Sequence, residues 1–115
     1  MKRKFASLLI TTLAVTSATA MAAGDIEAGK AKVVVCQACH GADGNPTDPQ
    51  YPRLAGQYHD YLARALHEYK SGERKNAIMA GFAATLSDQD IENVSSYFAS
   101  LPSKLTDLHD HIQGD

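Results

Sequence analysis

The sequence predicts an all-α protein, and three observations carry that expectation. Apolar residues recur at helical spacing from Asp25 to about Val35, from Gln57 to Ser71 and from Ser87 to Leu101. No run alternates apolar and polar residues for long enough to make a strand, and no internal repeat is visible. At 115 residues, with an ordinary balance of apolar, charged and aromatic side chains, the chain makes one compact domain at most.

Residues 1–22 stand apart from that domain. Lys2, Arg3 and Lys4 precede an apolar run from Phe5 to Val15, and small residues follow, which is the layout of a secretory signal peptide. Ala18-Thr19-Ala20 and Ala20-Met21-Ala22 both offer small-x-small cleavage sites; the cut is expected after Ala22, just ahead of Asp25. The apolar run is shorter than the roughly 20 residues that span a bilayer, so no membrane attachment is expected after cleavage. The expected mature chain, 23–115, is a single domain ending in a short polar tail from about residue 103.

The first helix, with Ile26, Gly29 and Val33 in register, leads straight into Cys36-Gln37-Ala38-Cys39-His40. A stretch of turn formers follows from Gly41 to Pro52 and is suited to wrapping a flat group without regular structure. In the second helix Tyr58, Tyr61, Leu62, Ala65, Leu66 and Tyr69 form one stripe, and Gly72 is the expected stop. The segment from Asn76 to Phe82 has no sustained period and reads as a loop. Ser87 and Asp90 form a capping-box variant at the start of the third helix, with Leu86 and Ile91 placed as its hydrophobic staple; Pro102 ends it.

Charge narrows the function classes. The signal segment holds three of the eleven basic residues and none of the thirteen acidic ones, so the mature chain is distinctly acidic. It has no basic stripe to follow a nucleic acid backbone and no polybasic patch for a membrane surface. The mature length of about 93 residues gives only a marginal apolar core, which makes a covalent staple or a bound group valuable.

The two cysteines supply one. With two residues between them and a histidine directly after, they form the pattern of c-type haem attachment. Each thiol of Cys36 and Cys39 adds across one haem vinyl group, and His40 then projects onto the iron from one face. A thiol redox site would want a preceding strand and parallel-sheet pattern, and a structural zinc site a second ligand pair; neither is present. After cleavage Met79 is the one methionine left, which makes it the expected second axial ligand and gives a His/Met pair of raised reduction potential. His59 and His67 fall on a polar helical face, and His109 and His111 in the charged tail; all four read as solvated.

The Cys36 to His40 motif, Tyr51-Pro52-Arg53-Leu54-Ala55-Gly56-Gln57, Met79 and Tyr97-Phe98-Ala99-Ser100-Leu101 together resemble a class I cytochrome c, most closely one half of the periplasmic dihaem c-four type. With a single attachment motif, the chain looks like a monohaem relative. The resemblance implies three main helices and loops around one covalent haem c. It implies a hydrogen bond from His40 to the Pro52 carbonyl, and a close crossing of Gly29 over Tyr97. It offers Tyr51 and Arg53 as contacts of a haem propionate, against an equally good reading of both as solvated or packing residues. With His40 and Met79 expected at both axial positions no open site remains, so single-electron transfer between redox partners in transient complexes, by a monomer or weak dimer, and no enzymatic activity are expected; the resemblance implies a periplasmic, respiratory setting. Two other roles stay open: a haem subunit tethered to a larger dehydrogenase or oxidase, and a haem enzyme or sensor with an open iron site.

Overall fold

The computed structural model describes residues 23–104. The expected signal peptide and most of the polar tail, with His109 and His111, lie outside the described residues. Within them the protein is all-helical, with α1 at Ile26–Lys32, α2 at Val34–His40, α3 at His59–Ser71, α4 at Ala77–Ala83 and α5 at Asp88–Ser100.

The expected first helix is two helices in near-continuous hydrogen bonding. Asp25 caps α1 by accepting from the Ala28 N–H. At Val33 the ladder tightens: its carbonyl accepts from both Cys36 N (2.8 Å) and Gln37 N (3.0 Å), a shared bond typical of helix ends. This junction separates α2 from α1, so the cysteines and the histidine are carried by a helix of their own.

The third expected helix is α5, and its start follows the sequence closely. Ser87 Oγ accepts from Asp90 N and the Asp90 carboxylate accepts from Ser87 N, each at 3.0 Å, completing the capping box. Lys32 Nζ reaches the same carboxylate at 3.3 Å and ties α1 to it. The apolar face of α5 buries Ile91, Val94, Tyr97 and Phe98. Val94, Tyr97 and Phe98 meet Val33 from the α1–α2 junction and Leu62 from α3, with Cys36, Leu54, Leu66 and Leu101 packed around them. A fully buried side chain as large as Phe98 contributes about 1.5–3 kcal/mol.

α1 crosses α5, and α3 lies against both α5 and α4. The crossing depends on Gly29: a Cβ there would stand 2.9 Å from Tyr97 Cβ and closer still to the Asn93 backbone carbonyl. The buried Asn93 side chain completes the contact by accepting from Asp25 N at 2.8 Å.

The turn-rich stretch after the cysteines is pinned by its backbone. Gly44 O accepts from both Leu54 N and Ala55 N, and Gly56 N donates to Phe98 O at 2.9 Å. Residues 41–57 therefore form one wall of the molecule at a fixed distance from α5.

Two expectations about α3 change. Tyr58 is its N-cap and points outward at 80% exposure, so the apolar stripe begins at Tyr61. His59 is only partly exposed. Its Nδ1 lies 3.0 Å from Asp60 Oδ1 and its Nε2 3.2 Å from Glu92 Oε2, so it joins the start of α3 to α5. The hydrogen bond with Asp60, and then the Glu92 charge, raise its pKa, with burial opposing them.

A histidine whose folded pKa is raised contributes stability fully below its unfolded value near 6.5. That contribution is lost as pH rises through the folded value. His59→Gln is therefore expected to destabilise by about 0.5 kcal/mol at pH 5.5, in line with partly exposed ion pairs. It should have no effect at pH 8.5. Urea unfolding followed by far-ultraviolet circular dichroism at the two pH values measures the difference.

Candidate haem site

α2 carries the attachment motif, and helical spacing decides what the motif presents. Cys36 and Cys39 are three residues apart and Cys36 and His40 four, so all three side chains leave the helix on one face. That face forms the floor of a cleft of about 430 Å³. Both thiols are free and half-buried. Burial pushes the Cys36 thiol up, with the neighbouring Cys39 adding to it against the lowering effect of its own backbone hydrogen bond.

His40 is nearly enclosed, at 6% exposure. Its ring nitrogen Nδ1 lies 2.9 Å from the Pro52 carbonyl oxygen, which only accepts, so Nδ1–H is the donor and Nε2 keeps its lone pair. The carbonyl thus fixes both tautomer and ring orientation. The Tyr51 ring stands edge-on to the imidazole at 6.2 Å. Its hydroxyl pairs with the Cys39 thiol, which pushes the phenol up.

Met79 lies across the same cleft from a different element than expected. The sequence reads its surroundings as a loop, whereas they form α4. Asn76 caps that helix, its side-chain oxygen accepting from Ile78 N (3.1 Å) and Met79 N (3.0 Å). The cap places Met79 in the first turn with its side chain in the cleft wall. A seven-residue helix is too short to display a period, which is why apolar patterning passes over it.

The structure brings Cys36, Cys39, His40 and Met79 into one cleft, together with Tyr51, Pro52 and Arg53. It does not bring in His59 or His67, whose side chains instead face Glu92 and Asp88. Sequence reasoning misses Tyr61, Tyr69, Arg74 and Phe82, which also line the cleft. Helical spacing assigns the two tyrosines to the core, and the Asn76 cap is the one available sign that the following residues are ordered.

These residues fit a c-type haem. Paired thiols, an oriented imidazole with a free Nε2 and a thioether form the donor set, and the remaining walls are mostly apolar or aromatic. Ser95 adds a fully buried hydroxyl with no hydrogen-bond partner among the described residues, set in the same wall.

The cytochrome c family model matches residues 26–102. The chain belongs to the cytochrome c family. It is 49% identical over 100 residues to cytochrome c4 of Pseudomonas aeruginosa, covering 87% of this chain and 49% of that protein. It is 43% identical over 81 residues to cytochrome c-554(548) of Halomonas halodenitrificans, covering 68% of this chain and 98% of that protein. Among solved structures, reduced recombinant cytochrome c4 from Pseudomonas stutzeri superposes with a TM-score of 0.66 at 46% identity, over 70% of this chain and 47% of that one. The chain spans about half the length of the cytochrome c4 relatives it matches. Its fold is accordingly the class I cytochrome c fold. The three main helices expected of that fold are present as α1–α2, α3 and α5, with α4 added as a short fourth element.

Proposed function

We propose that this chain is an electron carrier holding one covalent haem c through Cys36 and Cys39, with His40 and Met79 as the two axial ligands of its iron. The observation that carries this reading is the convergence of those four side chains on one largely apolar cleft, with His40 already oriented by Pro52. Haem supplies one-electron chemistry, its iron alternating between the ferrous and ferric states.

The residues of the chain do the rest. Cys36 and Cys39, on one face of α2, would anchor the ring there by two thioethers. Pro52 holds the His40 proton on Nδ1 and thereby keeps Nε2 available to the metal. Met79, in the same cleft, would be the second ligand, and with both positions taken none would stay open to oxygen, peroxide or a substrate. Leu62, Leu66, Val94 and Phe98 line the cleft and keep water from it. A carrier without an open site moves electrons and makes no bonds, so the enzyme and sensor readings have no support in this geometry.

Its partners are other redox proteins met in small, short-lived complexes. The close match over nearly the whole of a relative as short as cytochrome c-554(548) favours a free carrier over a tethered subunit. The signal-like segment 1–22 supports export to the periplasm, and among the described residues no helix is long and apolar enough to cross a membrane.

An optical spectrum of the purified protein tests the reading. The oxidised form is expected to display the weak sulfur-to-iron charge-transfer band at the edge of the near infrared, and the reduced form to ignore carbon monoxide. Ready binding of carbon monoxide, with no such band, would replace the carrier with an open-site haem protein.

A further inference from the structure

The cleft is asymmetric in charge. Among the described residues its lining includes two charged side chains, Arg53 and Arg74, and no carboxylate, although the chain as a whole carries more acid than base. An apolar cleft with cationic groups at its margin suits a flat apolar group that carries acid substituents, and haem has two propionates.

The two arginines are not equivalent. Arg53 is exposed on the loop beside Pro52. Arg74 sits in the connection between α3 and α4 and is half-buried. Its guanidinium carbon lies 5.1 Å from the centre of the Tyr69 ring and 6.0 Å from that of Tyr61. Its backbone N–H donates to Glu68 O at 3.1 Å, fixing the root of the side chain. The Glu68 carboxylate oxygen Oε2 is 3.9 Å from Nη1, beyond hydrogen-bond reach, and the Tyr61 and Tyr69 hydroxyls engage part of the guanidinium, so some of its five donors remain for a carboxylate. A planar fork already held by two aromatic rings loses little freedom when it takes a carboxylate.

Resting on the haem reading above, we infer that Arg74, held by Tyr61 and Tyr69, is the residue that binds a haem propionate. It thereby favours the ferrous state. A fixed cation near the iron opposes the extra positive charge of the ferric form, and pairing with Arg74 keeps the propionate ionised below neutral pH. The family resemblance offers Tyr51 and Arg53 for this role, each against an equally good solvated or packing reading; the geometry favours Arg74.

The test uses the intact haem-loaded protein and its Arg74→Gln and Arg74→Lys variants, titrated against a redox mediator from pH 5 to pH 8. Arg74→Gln is expected to lower the ferrous-to-ferric ratio at fixed mediator potential about fivefold at pH 7. Its potential should also acquire a pH dependence between pH 5 and 7 that the wild type lacks, as the unpaired propionate begins to titrate. Arg74→Lys, which keeps the charge, should stay close to the wild type.

An unchanged ratio and pH profile in Arg74→Gln would overturn the assignment. So would equal shifts in both variants without any pH dependence, since that pattern belongs to lost packing. The sulfur-to-iron band is recorded on all three proteins. Its absence from the wild type would overturn the axial ligation itself, whereas its retention throughout assigns the shifts to Arg74.

Discussion

Met79→Ala is expected to remove the sulfur-to-iron charge-transfer band, open the iron to carbon monoxide and lower the reduction potential on the order of 0.1 V or more. Met79 brings a thioether into the cleft that His40 also lines, and on the proposed reading it is the second ligand of the iron. Axial ligands as a class command a range of roughly 0.8 V, and a His/Met pair lies toward its upper end. Loss of the side chain also leaves a void beside the ring, so Met79→Leu is the informative companion. Leucine keeps most of the volume and supplies no donor. Both variants should lose the band and bind carbon monoxide, while Met79→Leu unfolds in urea close to the wild type. A band that survives in Met79→Leu would transfer the ligand role to another residue.

The route by which Met79 reaches the cleft marks the limit of what periodicity reveals. An apolar period needs two or three turns to emerge from noise, and α4 has fewer than two. Its order comes from the Asn76 side chain capping two backbone N–H groups, a local signal carried by one residue. The same reasoning explains the break between α1 and α2 at Val33. Nothing in the spacing of Ile26, Gly29 and Val33 tells one helix from two, because the difference lies in which carbonyl serves the Cys36 and Gln37 amides.

Where a feature depends on residue type at fixed short spacing, the sequence is explicit. The Ser87–Asp90 capping box, the left-handed stop at Gly72 and the face shared by Cys36, Cys39 and His40 all follow from chemistry within a few residues. Features that depend on partners distant along the chain are not legible. His59 reads as solvated from its helical neighbours alone and is drawn inward by Glu92, thirty-three positions later. Tyr61 and Tyr69 read as core because aromatic residues on a helical stripe usually are; their neighbour in space, Arg74, lies beyond the helix stop and invisible to its period.

The same substitution at two glycines is expected to have opposite signs, and the pair tests how the fold closes. Gly29 lies at the α1–α5 crossing, where an added methyl meets the Asn93 backbone carbonyl and Tyr97 Cβ. Neither is the free end of a flexible chain, so the helices must separate or the contact must be lost. Overpacking of this kind costs about 1–3 kcal/mol and occasionally more. Gly29→Ala should fall at the top of that range because separation also strains the Asp25–Asn93 hydrogen bond and loosens Val33 in the core beneath the cysteines. Gly81 lies within α4 on an ordinary helical backbone, and a methyl added there would have nothing within 4 Å. Gly81→Ala should therefore stabilise by about 0.5–1 kcal/mol, the helix preference of alanine over glycine. Urea unfolding of the two variants measures both. Equal and small effects would mean that α1 and α5 do not cross at Gly29 in solution, and the wall that positions α2 would then need another support.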